Sequence, residues 1–379
     1  MINVLSLFDG MSCGQQALER AGIPVANYYA SEIDKYAIKV TQANYPNTIQ
    51  LGSVVNVDGY SLPKIDLLIG GSPCQSFSFA GKRKGMSTKD EQEILSLDHY
   101  LRLKSEEYEF EGQSYLFWEY MRLLNELRTK NPNVFFFLEN VEMGEKWEKV
   151  LSRAIGVNGI HINSALVSAQ NRKRIYWTNI GMKPSGLFGD FESIIQQPKD
   201  KGILLKDVLE KEVDEKYFLS EINEDFSLDI NDINKIEIRE IRQLSTNNKS
   251  NGDTQPYQQD RIYDINGISP ALSAGKSDLM ITSGTLRTHK DGEGFREVHS
   301  GKGATIPARA REDGSGQNVV KIQSRIRRLT PIECERLQTV KDGYTNQVSD
   351  SQRYKMLGNG WTVDVIVHFF NYLKQDLKL

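Results

Sequence analysis

Short apolar runs alternate with helical patterns over the first 180 residues. The runs "NVLSLF", "NYYAS", "KIDLLIGG", "NVFFFLENV" and "ALVSA" are mostly β-branched or aromatic and too short for helices, so each predicts a strand. Between them, three patterns predict helices that end at Gly22, before Pro46 and before Pro132. The alternation predicts an α/β fold with a mostly parallel sheet and helices on both faces, in which ligands bind at the carboxyl ends of the strands.

This periodicity is lost between about residues 182 and 321. Ten of the 30 glycines fall between Gly252 and Gly316, and the polar stretches there predict loops, although "RIYDING" and "DLMIT" still predict strands. We therefore expect a smaller, loop-rich domain, and a poorly ordered linker is the alternative. After this region, "LTPIECERLQ" and "TVDVIVHFFNYLKQDLK" predict helices, the second with Thr362 as a possible N-cap.

A chain of 379 residues is long for one domain and short for three. We expect a first domain at 1–181, the loop-rich domain at 182–321, and a C-terminal segment at 322–379 that packs back on the first domain. Residues 82–113, "KRKGMSTKDEQEILSLDHYLRLKSEEYEFEGQ", form a long and charged connection within the first domain. Long connections are often lids, so this insertion predicts a mobile lid that holds one helix.

Composition narrows the class of protein. Hydrophobic residues make up 39% of the chain and charged residues 26%, which is enough for a sizeable core. The three cysteines have no metal-ligand spacing, so we expect neither a disulfide framework nor a metal site, and a reducing compartment. No apolar run approaches the length of a membrane span and no leader pattern is present, so we expect neither a signal peptide nor a membrane anchor.

The charge is unevenly distributed. The net charge is −3, which argues weakly against a nucleic-acid partner. However, residues 205–232 hold three basic and ten acidic residues, whereas residues 235–328 hold sixteen basic and eleven acidic ones. This asymmetry allows one positive surface on an acidic protein, and an ordinary mixed surface is the alternative.

The stretch "LFDGMSCG" places Gly10 and Gly14 in a turn between a strand and a helix. Glycines let such a turn bend sharply and let a ligand approach the backbone. Glu32 follows 22 residues after Gly10, where a carboxylate can accept hydrogen bonds from ribose hydroxyls. Together they predict a site for an adenosine-type ligand, and a plain tight turn with a capping acid is the alternative.

Cys74 follows Pro73 at the end of the strand "KIDLLIGG" and is presented at the same edge of the sheet. A thiolate there is a candidate nucleophile. None of the five histidines has a recognisable context, so its helper is expected to be another residue. Glu139, at the end of an apolar strand and followed by Asn140, is that candidate, because burial favours the protonated carboxyl that could donate to a ring nitrogen. Capping of the next helix is the alternative for this pair.

In "SAQNRKRIYW", Gln170, Arg172 and Arg174 lie near the start of a strand. Residues two apart share a strand face, so the two arginines could hold a carbonyl oxygen or a phosphate. A solvated basic face is the alternative for this stretch taken alone.

Taken together and in this order, these motifs resemble those of the DNA (cytosine-5) methyltransferases. "LFDGMSCG" resembles the cofactor turn, "GGSPCQ" the Pro-Cys nucleophile loop, "LENV" the Glu-Asn-Val motif and "QNRKR" the Gln-x-Arg-x-Arg motif. "RRLTPIECERLQ" resembles the helix before the last motif, and "GNGWTV" resembles the final cofactor motif. The resemblance covers residues 1–181 and 325–379, and six motifs in order are very specific.

The resemblance implies a Rossmann-like class I methyltransferase fold in which residues 182–321 form the target-recognition domain and the insertion forms the closing loop. It implies methyl transfer from S-adenosylmethionine, leaving S-adenosylhomocysteine, to carbon 5 of a cytosine flipped out of a specific duplex DNA sequence. In this mechanism Cys74 adds to ring carbon 6, Glu139 donates to ring nitrogen 3, and Arg174, supported by Arg172, holds the carbonyl oxygen at position 2. The implied catalytic residues are Cys74, Glu139, Arg172, Arg174, Pro73 and Asn140. The implied cofactor residues are Phe8, Asp9, Gly10, Gly14, Glu32, Ile33, Ser53, Pro73, Asn359, Trp361 and Thr362.

The chain departs from the family pattern after its third strand. An acid usually contacts the adenine amino group there, whereas "LGSVVNV" offers Ser53, which puts this contact in doubt. The resemblance also implies double-stranded DNA as the partner, a monomer, a cognate restriction endonuclease without a stable complex, and a location on the nucleoid in the cytoplasm of a bacterial or phage-infected cell.

Two other functions are compatible with parts of the sequence. A transfer RNA cytosine-5 methyltransferase of the same fold would share the catalytic motifs, but the long recognition region favours DNA, and the Cys-Phe-Thr signature of the RNA-type enzyme is not found. A non-catalytic nucleic-acid-binding protein would not need Cys74, Glu139, Arg172 and Arg174 together.

Overall fold

The computed structural model describes residues 1–73, 86–185, 190–218, 269–270, 284–287, 294–297, 319–322 and 325–379. The strands predicted at "RIYDING" and "DLMIT", the nucleophile Cys74, and residues 82–85 of the insertion lie outside these residues. Among the described residues, no helix combines the length and the apolar character that crossing a membrane requires.

The described strands are β1 (Ile2–Leu7), β2 (Val25–Ser31), β3 (Ile49–Gln50), β4 (Leu67–Gly71), β5 (Phe135–Val141), β6 (Ile160–Asn163), β7 (Gln170–Asn171), β8 (Lys173–Thr178), β9 (Met182–Ser185), β10 (Asp190–Ser193), β11 (Ser269–Pro270), β12 (Gly284–Arg287), β13 (Gly294–Glu297), β14 (Val319–Ile322) and β15 (Arg325–Arg328). The described helices are α1 (Cys13–Ala21), α2 (Lys35–Asn44), α3 (Leu97–Ser105), α4 (Phe117–Lys130), α5 (Glu145–Ile155), α6 (Pro331–Leu337), α7 (Asp350–Asn359) and α8 (Val363–Asp376).

The chain divides into two compact units. The first contains residues 1–162, 173–197 and 366–379, and the second contains residues 163–172 and 198–365. The predicted division at residues 181 and 321 stays a prediction.

The first unit is built on a seven-stranded sheet in the order β3-β2-β1-β4-β5-β8-β6. The pairs β3–β2, β2–β1, β1–β4 and β4–β5 are parallel, and β5–β8 is antiparallel. From β1 the chain proceeds through α1 towards β2, and from β4 it proceeds through α3 and α4 towards β5 on the other side. Right-handed crossovers that run in opposite directions lie on opposite faces. The predicted mostly parallel α/β sheet with helices is confirmed.

Strand β5 is buried on both faces, which explains its uninterrupted apolar run. Phe136 and Leu138 belong to the core cluster that includes Phe117 and Trp118 of α4. Phe137 points to the opposite face, where its ring centroid lies 5.1 Å from that of Phe369 in α8.

Most of the predicted helices end where the sequence indicated. Helix α1 is followed by Gly22 with a φ of 68°, the left-handed conformation that a glycine adopts at little cost. Helix α8 begins directly after Thr362, and the Thr362 carbonyl accepts from the amide of Val365. The Thr362 hydroxyl donates to Oε1 of Gln338. The amide of Val363 donates to the carbonyl of Gln338, and the amide of Asp364 donates to the hydroxyl of Thr339.

The prediction of a strand at "ALVSA" is wrong. Residues Ser164–Leu166 form a 3₁₀ turn, and the side chain of Asn163 accepts a hydrogen bond from the amide of Ala165 at its start. Ala165, Val167 and Ala169 are all buried, so their period of two imitates a strand although the backbone turns.

Residues 86–113 of the insertion pack into the first unit. Met86, Ile94, Tyr100 and Leu103 are each at most 2% exposed, and the predicted helix is α3. The lid itself stays a prediction. The shorter α3 starts at Leu97 because Ser96 caps it by accepting from the amide of His99.

Glu119 of α4 links the insertion to this helix. Its carboxylate is fully buried and accepts hydrogen bonds from the Tyr100 hydroxyl, from Nζ of Lys104 and from Nε of Arg122. Arg122 in turn donates to the carbonyls of Val54 and Val57, which precede β4. A buried carboxylate is tolerated only with such partners, so the network specifies where α3 docks.

We expect Glu119→Gln to lower the free energy of unfolding by about 2 to 3 kcal/mol, because it leaves buried donors without their anion. Urea denaturation measures the change. Glu109→Gln is the matched control, because Glu109 pairs with Lys89 at the surface of the same insertion. Its unfolding midpoint should match that of the parent, and an equal loss in both variants would contradict the special role of Glu119.

Candidate active site

The predicted site residues of the first unit lie at the carboxyl ends of the central strands of the sheet. Strands β1 and β4 are neighbours, and the connections that leave them run to opposite sides of the sheet. A crevice forms at the carboxyl ends of two such strands. Phe8 follows β1, Glu32 follows β2, Pro73 comes two residues after β4, and Glu139 lies near the end of β5.

The turn after β1 has an unusual backbone. Phe8, Gly10 and Ser12 have φ angles of 57°, 58° and 62°, and two of the three carry a side chain that disfavours this conformation. A Cβ added to Gly10 would meet no described atom within 4 Å, so its backbone faces open space. A Cβ on Gly14 would lie 2.4 Å from Cδ1 of Ile69. Gly10 thus leaves room for a ligand, whereas Gly14 allows α1 to pack on the sheet.

Glu32 is fixed by backbone amides. One carboxylate oxygen accepts from the amide of Gly10 at 2.8 Å, and the other accepts from the amides of Ile33 at 2.7 Å and Asp34 at 2.8 Å. The oxygen bonded to Gly10 keeps capacity to accept a further hydrogen bond from a hydroxyl, whereas the other already accepts two. The adjacent Ile33 side chain is 70% exposed and offers an apolar surface beside this carboxylate.

Asp9 carries a buried carboxylate in the same turn. Its Oδ1 accepts from the Tyr28 hydroxyl at 2.8 Å, whereas its buried Oδ2 has no hydrogen bond. Burial raises the pKa of this carboxyl from 3.8 to about 6; the nearby hydroxyls of Ser6, Tyr28 and Ser12 oppose the shift, and the charge of Glu32 adds to it.

Ser53 lies at the start of a 3₁₀ turn, Val54–Asn56, just after β3. The preceding Gly52 is tied to the end of β2, because the Ser31 hydroxyl donates to its carbonyl at 2.8 Å. Ser53 is therefore held near the carboxyl edge of the sheet, and its hydroxyl makes no hydrogen bond within the described part of the chain.

Asn140 joins the ends of β4 and β5. Its Nδ2 donates to the hydroxyl of buried Ser72 at 2.9 Å and to the Ser72 carbonyl at 3.3 Å. This anchors the residue directly before Pro73, so the exit of the chain towards Cys74 is fixed. The alternative of helix capping is wrong, since the N-cap of α5 is Gly144 without a side-chain bond.

Glu139 and Arg174 lie on the same sheet face. Glu139 is opposite Tyr176 in the β5–β8 register, and Arg174 is two residues before Tyr176. Nε of Arg174 lies 3.0 Å from Oε1 of Glu139, and both side chains are at most 14% exposed. This Nε makes no hydrogen bond, because the carboxylate approaches at an unsuitable angle. The pair thus places a carboxyl group beside a guanidinium N–H from which a ligand oxygen could accept a hydrogen bond.

Arg172 does not share a strand face with Arg174, so that prediction is wrong. Arg172 lies between β7 and β8, in the second unit, and is 3% exposed. Its guanidinium donates to the carbonyls of Gly358 at 3.1 Å and Gly360 at 3.0 Å. Arg172 therefore holds the "GNGWTV" segment through its backbone. In that segment Asn359 is exposed, Trp361 is half-buried and Thr362 is buried.

Gln338, which sequence reasoning missed, completes this support in the second unit. Its Nε2 donates to the carbonyl of Leu357 at 2.6 Å, and its Oε1 accepts from the Thr362 hydroxyl at 2.8 Å. The Ser164 hydroxyl donates to the same Thr362 oxygen. Tyr28 and Ser72 were also missed. No local pattern marks these three residues, because their partners are distant in the sequence.

The family model described as "C-5 cytosine-specific DNA methylase" matches residues 2–375. Among similar proteins, the orphan methyltransferase M.SPRI of Bacillus phage SPR is 28% identical, with 98% of this chain and 97% of the relative covered. The type II methyltransferase M.NlaX of Neisseria lactamica is 26% identical, with 100% and 98% covered.

Solved structures share the fold. The methyltransferase EhMeth of Entamoeba histolytica superposes with a TM-score of 0.56 at 14% identity, covering 100% of this chain and 99% of that one. The Dnmt2 methyltransferase of S. pombe also has a TM-score of 0.56, at 16% identity and with both chains covered completely. At this identity the likeness concerns the fold alone.

The raised pKa of Asp9 predicts a pH-dependent stability. Because the folded protein binds this proton more tightly than the unfolded chain, the contribution is complete below about pH 4 and is lost as the pH rises through about 6. Asp9→Asn keeps an acceptor for Tyr28 and should raise the free energy of unfolding near neutral pH by about 2 kcal/mol. Urea titrations at several pH values test this. An unchanged pH profile in the variant would contradict the assignment.

Proposed function

Because this chain belongs to the C-5 cytosine-specific DNA methylase family, it methylates carbon 5 of cytosine in DNA, and we propose that it does so through a covalent bond between Cys74 and the target base. The observation that carries this proposal is the anchoring of Ser72 by Asn140, beside the Glu139–Arg174 pair. Because Ser72 is followed in the sequence by Pro73 and Cys74, this anchoring supports a nucleophile that acts at the edge of the sheet where Glu139 and Arg174 lie.

In the proposed reaction the cytosine leaves the duplex and enters the crevice, since carbon 5 needs access from one face of the ring. The Cys74 thiolate adds to carbon 6, and the electron pair of the carbon 5–carbon 6 double bond moves towards ring nitrogen 3. Glu139 donates a proton to that nitrogen, which prevents a negative charge on the ring. Arg174 donates to the carbonyl oxygen at position 2 and keeps Glu139 oriented.

The carbon 5 made nucleophilic in this way then accepts the methyl group. S-adenosylmethionine supplies it as an electrophilic carbon on a sulfonium. Afterwards nitrogen 3 returns its proton to Glu139, and solvent water takes the proton from carbon 5. The electron pair of that carbon–hydrogen bond re-forms the carbon 5–carbon 6 double bond, which breaks the bond from carbon 6 to sulfur and regenerates the Cys74 thiolate. Pro73 limits the backbone freedom of the residue before the nucleophile.

The residues at the turn fit an adenosine cofactor. Gly10 leaves open space, Glu32 can accept from the ribose hydroxyls, and exposed Ile33 can cover an apolar ring. Arg172 acts on the final cofactor motif through the backbone of Gly358 and Gly360. The proposed binding set is Phe8, Asp9, Gly10, Glu32, Ile33, Ser53, Pro73, Asn359, Trp361 and Thr362, with Gly14 supporting the turn by packing.

We further propose duplex DNA as the macromolecular substrate, with residues 182–321 as the recognition region. The local excess of basic residues between Lys235 and Arg328 supports this, since phosphate contacts provide most of the affinity for DNA. A monomer that acts in a bacterial or phage-infected cell, on the nucleoid and without a stable endonuclease complex, completes the proposal.

The covalent step is tested with a duplex that contains 5-fluorocytosine at the methylated position. The fluorine cannot leave as a proton does, so the adduct should persist and mass spectrometry should place it on Cys74. Cys74→Ser should form no adduct while still binding the cofactor, and the matched Cys334→Ala, in buried α6, should form it normally. An adduct on another residue of an active preparation would sink the covalent proposal.

Glu139→Gln should slow the single-turnover rate by about a hundredfold or more, because the amide cannot deliver a proton to the ring. Rapid-quench measurements with tritiated cofactor and excess enzyme report this rate separately from product release. Glu142→Gln, just beyond β5, is the matched control and should retain the parent rate. A near-normal rate for Glu139→Gln would remove the proton-donor role.

A further inference from the structure

Asp9 has a buried negative charge without a matching positive one. The groups that act on its carboxylate are the hydroxyls of Ser6 in β1, Ser12 before α1 and Tyr28 in β2, together with the neighbouring carboxylate of Glu32. No described cation forms an ion pair with Asp9, and its buried Oδ2 has no hydrogen bond. An unpaired buried charge is energetically unfavourable, so the site favours any ligand that brings a positive charge close to it.

The position of Asp9 brings it close to such a ligand. It directly precedes Gly10, whose amide is bonded to Glu32 and whose Cα faces open space. If Glu32 accepts from the ribose hydroxyls, the sulfur attached to that ribose lies only a few bonds away. This step depends on the proposed function, since it requires S-adenosylmethionine in this turn.

The cofactor and its product differ in one charge near this sulfur. S-adenosylmethionine is a sulfonium cation, and S-adenosylhomocysteine, which has lost the methyl group, is a neutral thioether. We propose that the Asp9 carboxylate determines how this enzyme discriminates the methyl donor from its product, by acting through space on the sulfonium charge. The product then loses this attraction at the moment of transfer, which favours its release.

The magnitude is sufficient without direct contact. Two opposite unit charges about 8 Å apart, at an effective dielectric constant of about 20, attract enough to change an affinity more than tenfold. Glu32 is less suited to the same task because three backbone amides already share its charge. Substitution of Glu32 should weaken the binding of both ligands, whereas substitution of Asp9 should weaken the binding of S-adenosylmethionine alone.

Isothermal titration calorimetry of the full chain with each ligand, near neutral pH and without DNA, tests the proposal. We expect Asp9→Asn to raise the dissociation constant of S-adenosylmethionine by about tenfold relative to that of S-adenosylhomocysteine. Asp34→Asn is the matched control. It removes a carboxylate two residues from Glu32 that caps α2, and it should leave the ratio of the two dissociation constants unchanged.

A second measurement uses the native residue and so does not depend on how the variant folds. In the parent, the preference for S-adenosylmethionine should decline as the pH falls through about 6, because Asp9 takes up a proton. Tyr28→Phe removes a donor to Oδ1, so it should move this decline to higher pH.

The outcomes separate the two proposals. If the parent binds neither ligand, the cofactor assignment fails. If it binds both and Asp9→Asn keeps the parental ratio, or the ratio in the parent does not change with pH, the role of Asp9 is overturned while the proposed function stands.

Discussion

The burial of β5 between two layers of aromatic side chains is the constraint on which the site depends. Phe136 and Leu138 face α4, and Phe137 faces α8, so the strand can neither rotate nor slip by one residue without exposing one set. Its last residues, Glu139 and Asn140, are therefore placed by packing that occurs up to four residues earlier. Pairing with β4 and β8 then brings them to Ser72 and Arg174.

Much of this arrangement follows from local sequence. The run "FFFL" predicts a strand buried on both faces, the turn glycines and Glu32 predict a ligand edge, and Gly22 predicts the end of α1. Local sequence patterns give the wrong prediction where a hydrogen bond to a residue distant in the sequence determines the structure. The "ALVSA" stretch becomes a turn because Asn163 caps it, and Arg172 serves the carbonyls of Gly358 and Gly360. Such long-range hydrogen bonds leave no periodic trace in the chain.

Buried carboxylates have two different roles in the first unit. Glu119 meets three donors and is therefore a fixed structural element that docks the insertion. Among the described residues, Asp9 has hydroxyl donors but no cation near it, and its Oδ2 has no hydrogen bond, so its charge state responds to what lies nearby. Sequence alone does not distinguish these cases, because both are acidic residues beside apolar neighbours. The number and kind of donors around each one makes the difference.

Ile69 and Tyr28 pack closely against Gly14, and Tyr28 also donates a hydrogen bond to Asp9. Substitutions at Gly14 should therefore be coupled to the environment of the Asp9 charge. Any side chain at position 14 would collide with Ile69 and with the Tyr28 hydroxyl, so the loss of this glycine requires both neighbours to shift or to become smaller. Shrinking Tyr28 would deprive Asp9 of the hydroxyl that donates to its Oδ1. Positions 9, 14, 28 and 69 should consequently covary as a group among homologues, although only one of them is a carboxylate.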